Sequence, residues 1–284
     1  MQRALALTTV DDEEAAEGSV FALLDSLQVE RADAVVVHRG GDDALRRRLA
    51  GHPAVLRVLP SEPVGISRAR NIALQWASEH VPESAVVGFP DDDCTYPRGL
   101  LRRVIEELGR SDFVVGAYSP HVTRVDSRVF PAGRALLNRV PPSQAIASVG
   151  LFCRLGDVMR VGGFNERLGV GAEWDSGEEH DLVVRLIRSG LVGVYDPSLV
   201  VQHDYVRRLP SDRRVGWLGL NTAYANENRK FVPLAAKAWA ALGIDVIRLR
   251  VPARNAANIA RKSLDGETSR QVRAGYRNVR QDNQ

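Results

Sequence analysis

Short apolar runs alternate with helical patterns through the first 120 residues, and this alternation constrains the fold more than any other feature of the sequence. Nearly continuous apolar strands separated by helices are typical of a mainly parallel sheet with helices on both faces. In such α/β sheets, ligands bind beyond the carboxyl ends of the strands. The runs predict strands at Ala4–Val10, Ala34–His38, Val55–Leu59, Ala85–Phe89 and Phe113–Ala117.

The segments between these strands carry helix signals. Ala15–Leu27 places three leucines on one face and predicts the first helix. Ser67 is a plausible N-cap for a helix that continues through Trp76, and Pro97 suits the first turn of the next helix.

The middle of the chain is less regular. Tyr118–Val149 contains four prolines and predicts a long loop or strand excursion. Beyond it, we predict strands at Leu151–Arg154, Val192–Tyr195 and Leu199–Gln202, and a helix at Glu178–Ser189.

The chain is 284 residues long, so it has room for more than one average domain. We predict a catalytic domain over 1–205 and a helical extension with a polar, basic tail over 206–284. Within the extension, Leu234–Leu249 predicts a basic, partly apolar helix. Its interrupted apolar strip favours packing on the catalytic domain or a homodimer, and a peripheral membrane contact is the alternative.

Composition narrows the functional classes. The net charge is +3 with a pI of 9.1, which is too small an excess for a nucleic-acid-grade basic surface, so we expect no nucleic-acid partner. The two cysteines, Cys94 and Cys153, lack metal-site spacing and are too few for a disulfide scaffold. No apolar run approaches the roughly 20 residues of a membrane span. We therefore expect a cytoplasmic protein, with a peripheral position at the inner face of the membrane as the alternative.

Asp91, Asp92 and Asp93 follow directly after an apolar strand. Clustered carboxylates repel one another unless a cation or arginine neutralises them. Mg²⁺ and Mn²⁺ prefer oxygen ligands, and substrate phosphates often complete the shell. Asp91 and Asp93 are therefore candidate metal ligands, with Asp92 orienting them, while an acidic turn exposed to solvent is the alternative.

A second acidic cluster opens the predicted helix in the run WDSGEEHDLVVRL. Glu178 and Glu179 favour the positive end of a helix dipole, which is a structural explanation. Asp181 is harder to explain in this way, because the body of the helix is apolar. Acids on the first turn of a buried helix point into a cleft, so we also consider a catalytic role.

Two further segments lie at predicted element ends. His203 ends the last strand, where it can reach the same cleft, although a lone histidine is more often structural. Arg68 and Arg70 lie near a helix N-terminus, a setting that suits phosphate, although exposed arginines are also common there.

Taken in order, these segments resemble the family 2 glycosyltransferases with the GT-A fold. The resemblance rests on GISRARNIAL, FPDDDCTYP, VGGFNERLGVG, SGEEHDLVVRL and YDPSLVVQH, and it covers the chain from about Leu5 to His203. No single motif decides it, but five in this order are specific.

The resemblance implies an inverting transfer of a sugar from a nucleotide-sugar donor to a saccharide, lipid-linked or small-molecule acceptor. It implies Mn²⁺ or Mg²⁺ held by Asp91 and Asp93, with His203 approaching the metal. Glu179 falls at the position of the catalytic base, which is usually an Asp, and Glu178 precedes it.

The same resemblance suggests how the substrates bind. His38 stands where the family usually has a base-reading Asp, so UDP is not expected to be strongly preferred. The remaining donor contacts are assigned to Thr8, Thr9, Arg68, Arg70, Asn71, Asp91 and Asp92. Residues 169–174 are expected to form a loop that contacts the acceptor through Gly171 and Trp174.

Two other classes of protein remain open from the sequence. A metal-dependent nuclease or nucleotidyltransferase also uses clustered carboxylates, but it needs a basic channel, and no Lys/Arg cluster lies beside either acidic motif. A non-catalytic sugar-nucleotide-binding protein is the second alternative, and the intact carboxylates at both motifs argue against it.

Overall fold

The computed structural model describes residues 4–12, 14–119, 133–137, 146–172 and 177–203, together with the isolated helical positions 236, 239 and 240. Within these residues the chain forms a mixed α/β structure around one sheet. The strands are β1 (Ala4–Val10), β2 (Asp33–His38), β3 (Val55–Pro60), β4 (Val86–Gly88), β5 (Cys94–Thr95), β6 (Phe113–Ser119), β7 (Ala135–Leu136), β8 (Leu151–Arg154) and β9 (Gly193–His203).

The helices of the described residues lie between these strands. They are α1 (Glu14–Val29), α2 (Asp43–Ala50), α3 (Ile66–His80), α4 (Leu100–Leu108), α5 (Leu155–Arg160) and α6 (Glu178–Arg188), with a 3₁₀ turn at Ser148–Gly150.

The sheet has the strand order β3-β2-β1-β4-β8-β6-β9-β5, and β7 pairs with β9 off this path. The β1–β2, β2–β3, β1–β4 and β6–β9 pairs are parallel. β8 runs antiparallel to β4 and β6, and the short strands β5 and β7 run antiparallel to β9. The predicted mainly parallel α/β sheet is therefore confirmed.

Apolar side chains cover both faces of the sheet. One core cluster joins the sheet to α3, α5 and α6, and a second joins it to α1, α2 and α4. β1 contributes to both clusters because successive side chains of a strand alternate between the two faces. This packing fixes the carboxyl ends of β1, β2 and β4 along one edge.

Several local predictions were wrong. Helix α3 begins at Ile66 with Gly65 as its N-cap, so Ser67 is inside the helix. Helix α4 begins only at Leu100, because Gly99 at φ 82° is its N-cap, and Pro97 lies before it. The two short strands predicted near the end of the sheet form one strand, Gly193–His203.

The predicted helix Leu234–Leu249 lies outside the described residues, except for the isolated helical positions noted above. Among the described helices, none is long and apolar enough to cross a membrane. The division of the chain at residue 205 stays a prediction.

Candidate active site at the carboxyl edge of the sheet

The three aspartates occupy a turn between β4 and β5. The turn closes through the backbone N–H of Cys94, which donates to the carbonyl oxygen of Asp91 at 3.1 Å. Because β5 pairs with β9, Cys94 lies opposite His203. The Nε2 atom of His203 lies 3.1 Å from Oδ1 of Asp93 and 4.0 Å from Oδ2 of Asp91. The structure thus brings together the three residues predicted as metal ligands.

These aspartates crowd one another. Burial, followed by the charges of Asp93 and Asp91, raises the pKa of Asp92 to about 7. The side chains of Asp91 and Asp93 are 39% and 45% exposed, so solvent reaches both carboxylates. A cation would relieve the repulsion between these groups. Converging carboxylate oxygens and an imidazole nitrogen fit a divalent cation at this turn.

Arg70 links the two acidic motifs. Its Nη2 donates to Oδ1 of Asp91 at 3.1 Å, and its Nη1 donates to Oε1 of Glu178 at 3.2 Å. The guanidinium carbon lies 5.3 Å from the centre of the Phe164 ring, within the range of a cation–π contact. Arg70 is only 2% exposed, so its position is set by these partners. The predicted contact of Arg70 with the nucleotide-sugar donor would have to be made while Arg70 also holds Asp91 and Glu178.

Glu178 and Glu179 are at the start of α6 and differ in their surroundings. Burial, and then the charge of Glu179, raises the pKa of Glu178 to about 8. Burial acts in the same direction on Glu179, but the charge and hydrogen bond of His180 outweigh it and lower that pKa to about 2. The side chain of Glu179 is 17% exposed and that of Glu178 is 10% exposed. Glu179 is thus the ionised and more accessible carboxylate of the pair.

Asp181 has a different environment from its neighbours. Its Oδ2 accepts a hydrogen bond from Nε of Arg185 at 2.8 Å, and the residue is 2% exposed. Arg185 also donates to the carbonyl oxygens of Val161 and Gly163. These contacts favour a structural role for Asp181 over the predicted catalytic one.

Asn71 contacts protein backbone through both ends of its amide group. Its Nδ2 donates to the carbonyl oxygen of Phe164 at 2.9 Å, and its Oδ1 accepts from the N–H of Phe164 at 2.8 Å. Ser67 adds a hydrogen bond from its hydroxyl to the carbonyl oxygen of Leu168. These contacts favour holding segment 161–171 over the donor contact predicted for Asn71.

Segment 161–171 passes close to Glu178 at a glycine. Gly169 has φ 98°, a left-handed conformation that favours glycine. A Cβ atom at this position would lie 2.6 Å from Cγ2 of Ile66 and 3.1 Å from the carboxyl carbon of Glu178. The segment therefore needs glycine here to pack against the start of α6.

The residues predicted for the nucleoside lie at the ends of β1 and β2. His38 is fully buried, and its Nε2 lies 2.7 Å from Oδ1 of Asp12. Thr8 shares the sheet face of His38, because Thr8 pairs with Val36 and alternate residues share a face. Thr9 is on the opposite face. Both threonines are buried, at 1% and 7% exposure, and their contact with a nucleoside stays a prediction.

The remaining residues predicted to contact substrate include two that are exposed to solvent. Arg68 is exposed on the first turn of α3. Gly171 is exposed and lies beside Gly65, where a Cβ atom on Gly65 would be 3.2 Å from the carbonyl oxygen of Gly171. Trp174 lies outside the described residues. The predicted acceptor roles of Gly171 and Trp174 stay predictions.

Sequence reasoning missed some residues of this edge. Asp11 and Asp12 follow β1 directly, a strand-end position like that of Asp91, and this signal could have found them. Asp12 accepts from the backbone N–H of Gly41 at 2.7 Å, and Asp11 accepts from Arg39 at 2.8 Å. These contacts join the loops that follow β1 and β2. Cys94, which directly follows Asp93, was also missed.

Comparison with known proteins indicates the class of protein. The sequence model described as glycosyl transferase family 2 matches residues 22–138, which contain the aspartate turn and Arg70. The match supports a glycosyltransferase, over a region that is less than half of the chain. It favours a glycosyltransferase over the nuclease and nucleotidyltransferase alternatives. A search of curated protein sequences returned no match.

Solved structures of glycosyltransferases have a fold similar to that of this chain. A mannosyltransferase from Pyrobaculum calidifontis, solved with GDP-Man and Mn²⁺, has a TM-score of 0.58 and 18% identity, over 99% of this chain and 88% of that chain. Residues 1–349 of TarS from S. aureus, solved with UDP-GlcNAc, have a TM-score of 0.51 and 16% identity, over 98% of this chain and 92% of that chain. At these identities, the likeness concerns the GT-A fold.

Proposed function

We propose that this glycosyltransferase moves a sugar from a nucleoside-diphosphate donor to an acceptor hydroxyl, with Mn²⁺ or Mg²⁺ at the aspartate turn and with inversion at the anomeric carbon. The observation that carries the proposal is the approach of Asp93 and His203 within 3.1 Å, at the same edge where Arg70 links Asp91 to Glu178. Metal-ligand chemistry and candidate base chemistry are therefore adjacent.

Each residue has a defined part in this proposal. Asp91, Asp93 and His203 would hold the cation, and that cation would supply positive charge to the departing diphosphate. Arg70 fixes the carboxylate of Asp91 through its hydrogen bond at 3.1 Å. Asp92 and the exposed Arg68 are left to contact the donor.

Glu179 would accept the proton of the acceptor hydroxyl. Glu179 is the more exposed carboxylate of the pair, and its lowered pKa keeps it ionised, which a general base requires, although so low a pKa makes it a weak proton acceptor until the bound substrates change its surroundings. Attack on the anomeric carbon from the face opposite the leaving diphosphate inverts that carbon in a single displacement. Glu178, with its raised pKa, would instead carry a proton and share it with Glu179 in a side-chain hydrogen bond.

The two solved neighbours support the donor class. One is bound to GDP-Man and the other to UDP-GlcNAc, and both ligands are nucleoside-diphosphate sugars. For this chain, we expect no strong preference for UDP, because position 38 carries a histidine that is already paired with Asp12. A saccharide, a lipid-linked molecule or a small molecule remains the proposed acceptor.

Nucleotide binding and donor turnover test this proposal together. Calorimetric titration with UDP, GDP and dTDP in Mn²⁺ should give dissociation constants within about tenfold of one another, or about 1.4 kcal/mol. A UDP affinity more than tenfold above both others would contradict the proposed role of position 38.

Turnover is measured with the matching nucleotide sugars and a panel of acceptors, with chelator as the control. We expect release of the nucleoside diphosphate only with divalent cation, and a product whose anomeric configuration, read by NMR, is opposite to that of the donor. Retained configuration, or full activity in chelator, would contradict the mechanism. Nucleotide binding without any turnover would favour the non-catalytic alternative.

A further inference from the structure

Cys94 lies beside two of the proposed metal ligands. It pairs directly with His203 in the β5–β9 ladder, and directly opposed residues of neighbouring strands point to the same face. One ligand atom each of Asp93, Cys94 and His203 lies within 4.8 Å of the others. An oxygen, a sulfur and a nitrogen donor are therefore grouped at the end of β9.

This set of donor atoms differs from that preferred by hard cations. Mg²⁺ demands near-ideal octahedral geometry and oxygen ligands, and a thiolate does not satisfy that demand. Zn²⁺ accepts sulfur, nitrogen and oxygen ligands in one site. Its catalytic sites commonly have three protein ligands and one open position. Typical zinc–ligand bond lengths place the ligand atoms about 3.4–3.6 Å apart in a tetrahedral site. Only small side-chain movements separate the present arrangement from that geometry.

We propose that Asp93, Cys94 and His203 form a site that binds thiophilic divalent cations, Zn²⁺ and Cd²⁺ among them, more tightly than Mg²⁺, with Cys94 as the selecting ligand. Binding through sulfur replaces the thiol proton, which passes to the buffer. The inference rests on the proposed function to the extent that both use Asp93 and His203. Zn²⁺ bound there competes with the cation that serves the donor diphosphate.

The chain provides its own matched control for this proposal. It has two cysteines, and Cys153 is as completely buried as Cys94. Cys153 pairs with Val87 on one neighbouring strand and with Phe113 on the other. Cys153→Ser therefore removes a buried thiol from the same sheet and leaves the aspartate turn intact.

Co²⁺ alone is the first probe, because a cobalt–thiolate bond gives a charge-transfer absorption band in the near ultraviolet. We expect this band in the wild type and in Cys153→Ser, its displacement by Zn²⁺, and its absence in Cys94→Ser. We also expect Zn²⁺ affinity to fall at least tenfold in Cys94→Ser while Mg²⁺ affinity is unchanged. A wild type without the band, or a band that survives in Cys94→Ser, overturns the proposal.

A second measurement covers the case in which Cys94→Ser does not fold, as judged by circular dichroism. X-ray absorption at the zinc edge is then recorded on Cys153→Ser loaded with one equivalent of Zn²⁺. A sulfur neighbour at about 2.3 Å is expected. A shell of oxygen and nitrogen alone overturns the proposal.

The outcomes separate this proposal from the function it rests on. A wild type that transfers sugar with Mn²⁺ but has no sulfur–metal signal rejects only the Cys94 assignment. A wild type with the signal, but without sugar transfer under any cation, rejects only the proposed function.

Discussion

Two acidic clusters meet at this edge of the sheet, and they are stabilised in opposite ways. The turn cluster consists of Asp91, Asp92 and Asp93, and two of its side chains are 39% and 45% exposed. The helix cluster consists of Glu178, Glu179 and Asp181 at the start of α6, and its side chains are 10%, 17% and 3% exposed. The turn cluster is open to solvent, whereas the helix cluster is enclosed by protein.

Each cluster receives positive charge from a different source. Arg185 pairs with Asp181, and Arg70 donates to Glu178, so the helix cluster obtains its counter-charge from the chain itself. The turn cluster shares Arg70 through Asp91, but the contact of Asp93 is with a histidine. We infer that the helix cluster contributes to stability as well as chemistry, whereas the proposed cation would complete the turn cluster.

The sharpest test of this contrast is Asp93→Ala. We expect cation-dependent turnover to fall by about a thousandfold, the upper range for removing one preorganised electrostatic contact. The free energy of unfolding, measured by thermal denaturation, should change by less than about 0.5 kcal/mol, since the side chain is half exposed. Turnover in Mn²⁺ measures the first effect, and the exposed helix variant Glu106→Ala is the control. Near-normal activity would show that the turn cluster does not bind the metal.

Arg70→Met tests the helix cluster from the side of its counter-charge. Because the charge of Arg70 lowers the pKa of Glu178, the variant at pH 9 leaves a buried carboxyl group that must either stay ionised without its donor or take up a proton. We expect a loss of about 3–5 kcal/mol in the free energy of unfolding. Urea unfolding measures it, with the exposed neighbour Arg68→Met as the matched control. Equal, small losses in both variants would contradict the structural importance of Arg70.

Glu179→Gln separates chemistry from stability within the helix cluster. We expect the turnover number to fall by about two orders of magnitude, the usual scale for a general base, while nucleotide affinity stays the same. Single-turnover kinetics and nucleotide titration measure the two quantities, and Glu106→Gln is the control. A larger loss in Glu178→Gln would move the base one residue towards the N-terminus.

The smallest expected effect concerns the pH dependence of stability. The pKa of Glu178 is about 8 in the folded chain, above its ordinary value of 4.5. Between these values the folded state keeps a proton that the unfolded state has lost, so the free energy of unfolding decreases as pH rises. Glu178→Gln should weaken this decrease by roughly 1 kcal/mol or more between pH 5 and pH 8. Parallel slopes for the variant and the wild type would show that Glu178 titrates normally.

Strands were easier to predict from the sequence than helices. The predicted bounds of Ala4–Val10 and Leu151–Arg154 match β1 and β8, because buried strands are continuous apolar runs. Helix α2 was missed because only Leu45 and Leu49 of its eight residues are buried apolar side chains of any size. A short helix with so few apolar residues gives almost no periodic signal.

The candidate site was predictable where its residues belong to one strand end. The aspartate turn and His203 follow from the rule that strand ends share an edge. The contacts of Arg70 and Asn71 were not predictable, because they join residues 108 and 93 positions apart. Only the packing of α3 against segment 161–171 and α6 determines them, and no local pattern encodes that packing.

Segment 161–171 is attached to the rest of the protein largely through its own main chain. Val161, Gly163, Phe164, Leu168 and Val170 each contribute backbone atoms to hydrogen bonds with α3 or Arg185. Backbone groups are the same for almost every amino acid, so many of its outward side chains are free to diverge while the anchor persists. Directed evolution of acceptor choice should therefore tolerate a library at the exposed Val170 better than at Asn71 or Ser67.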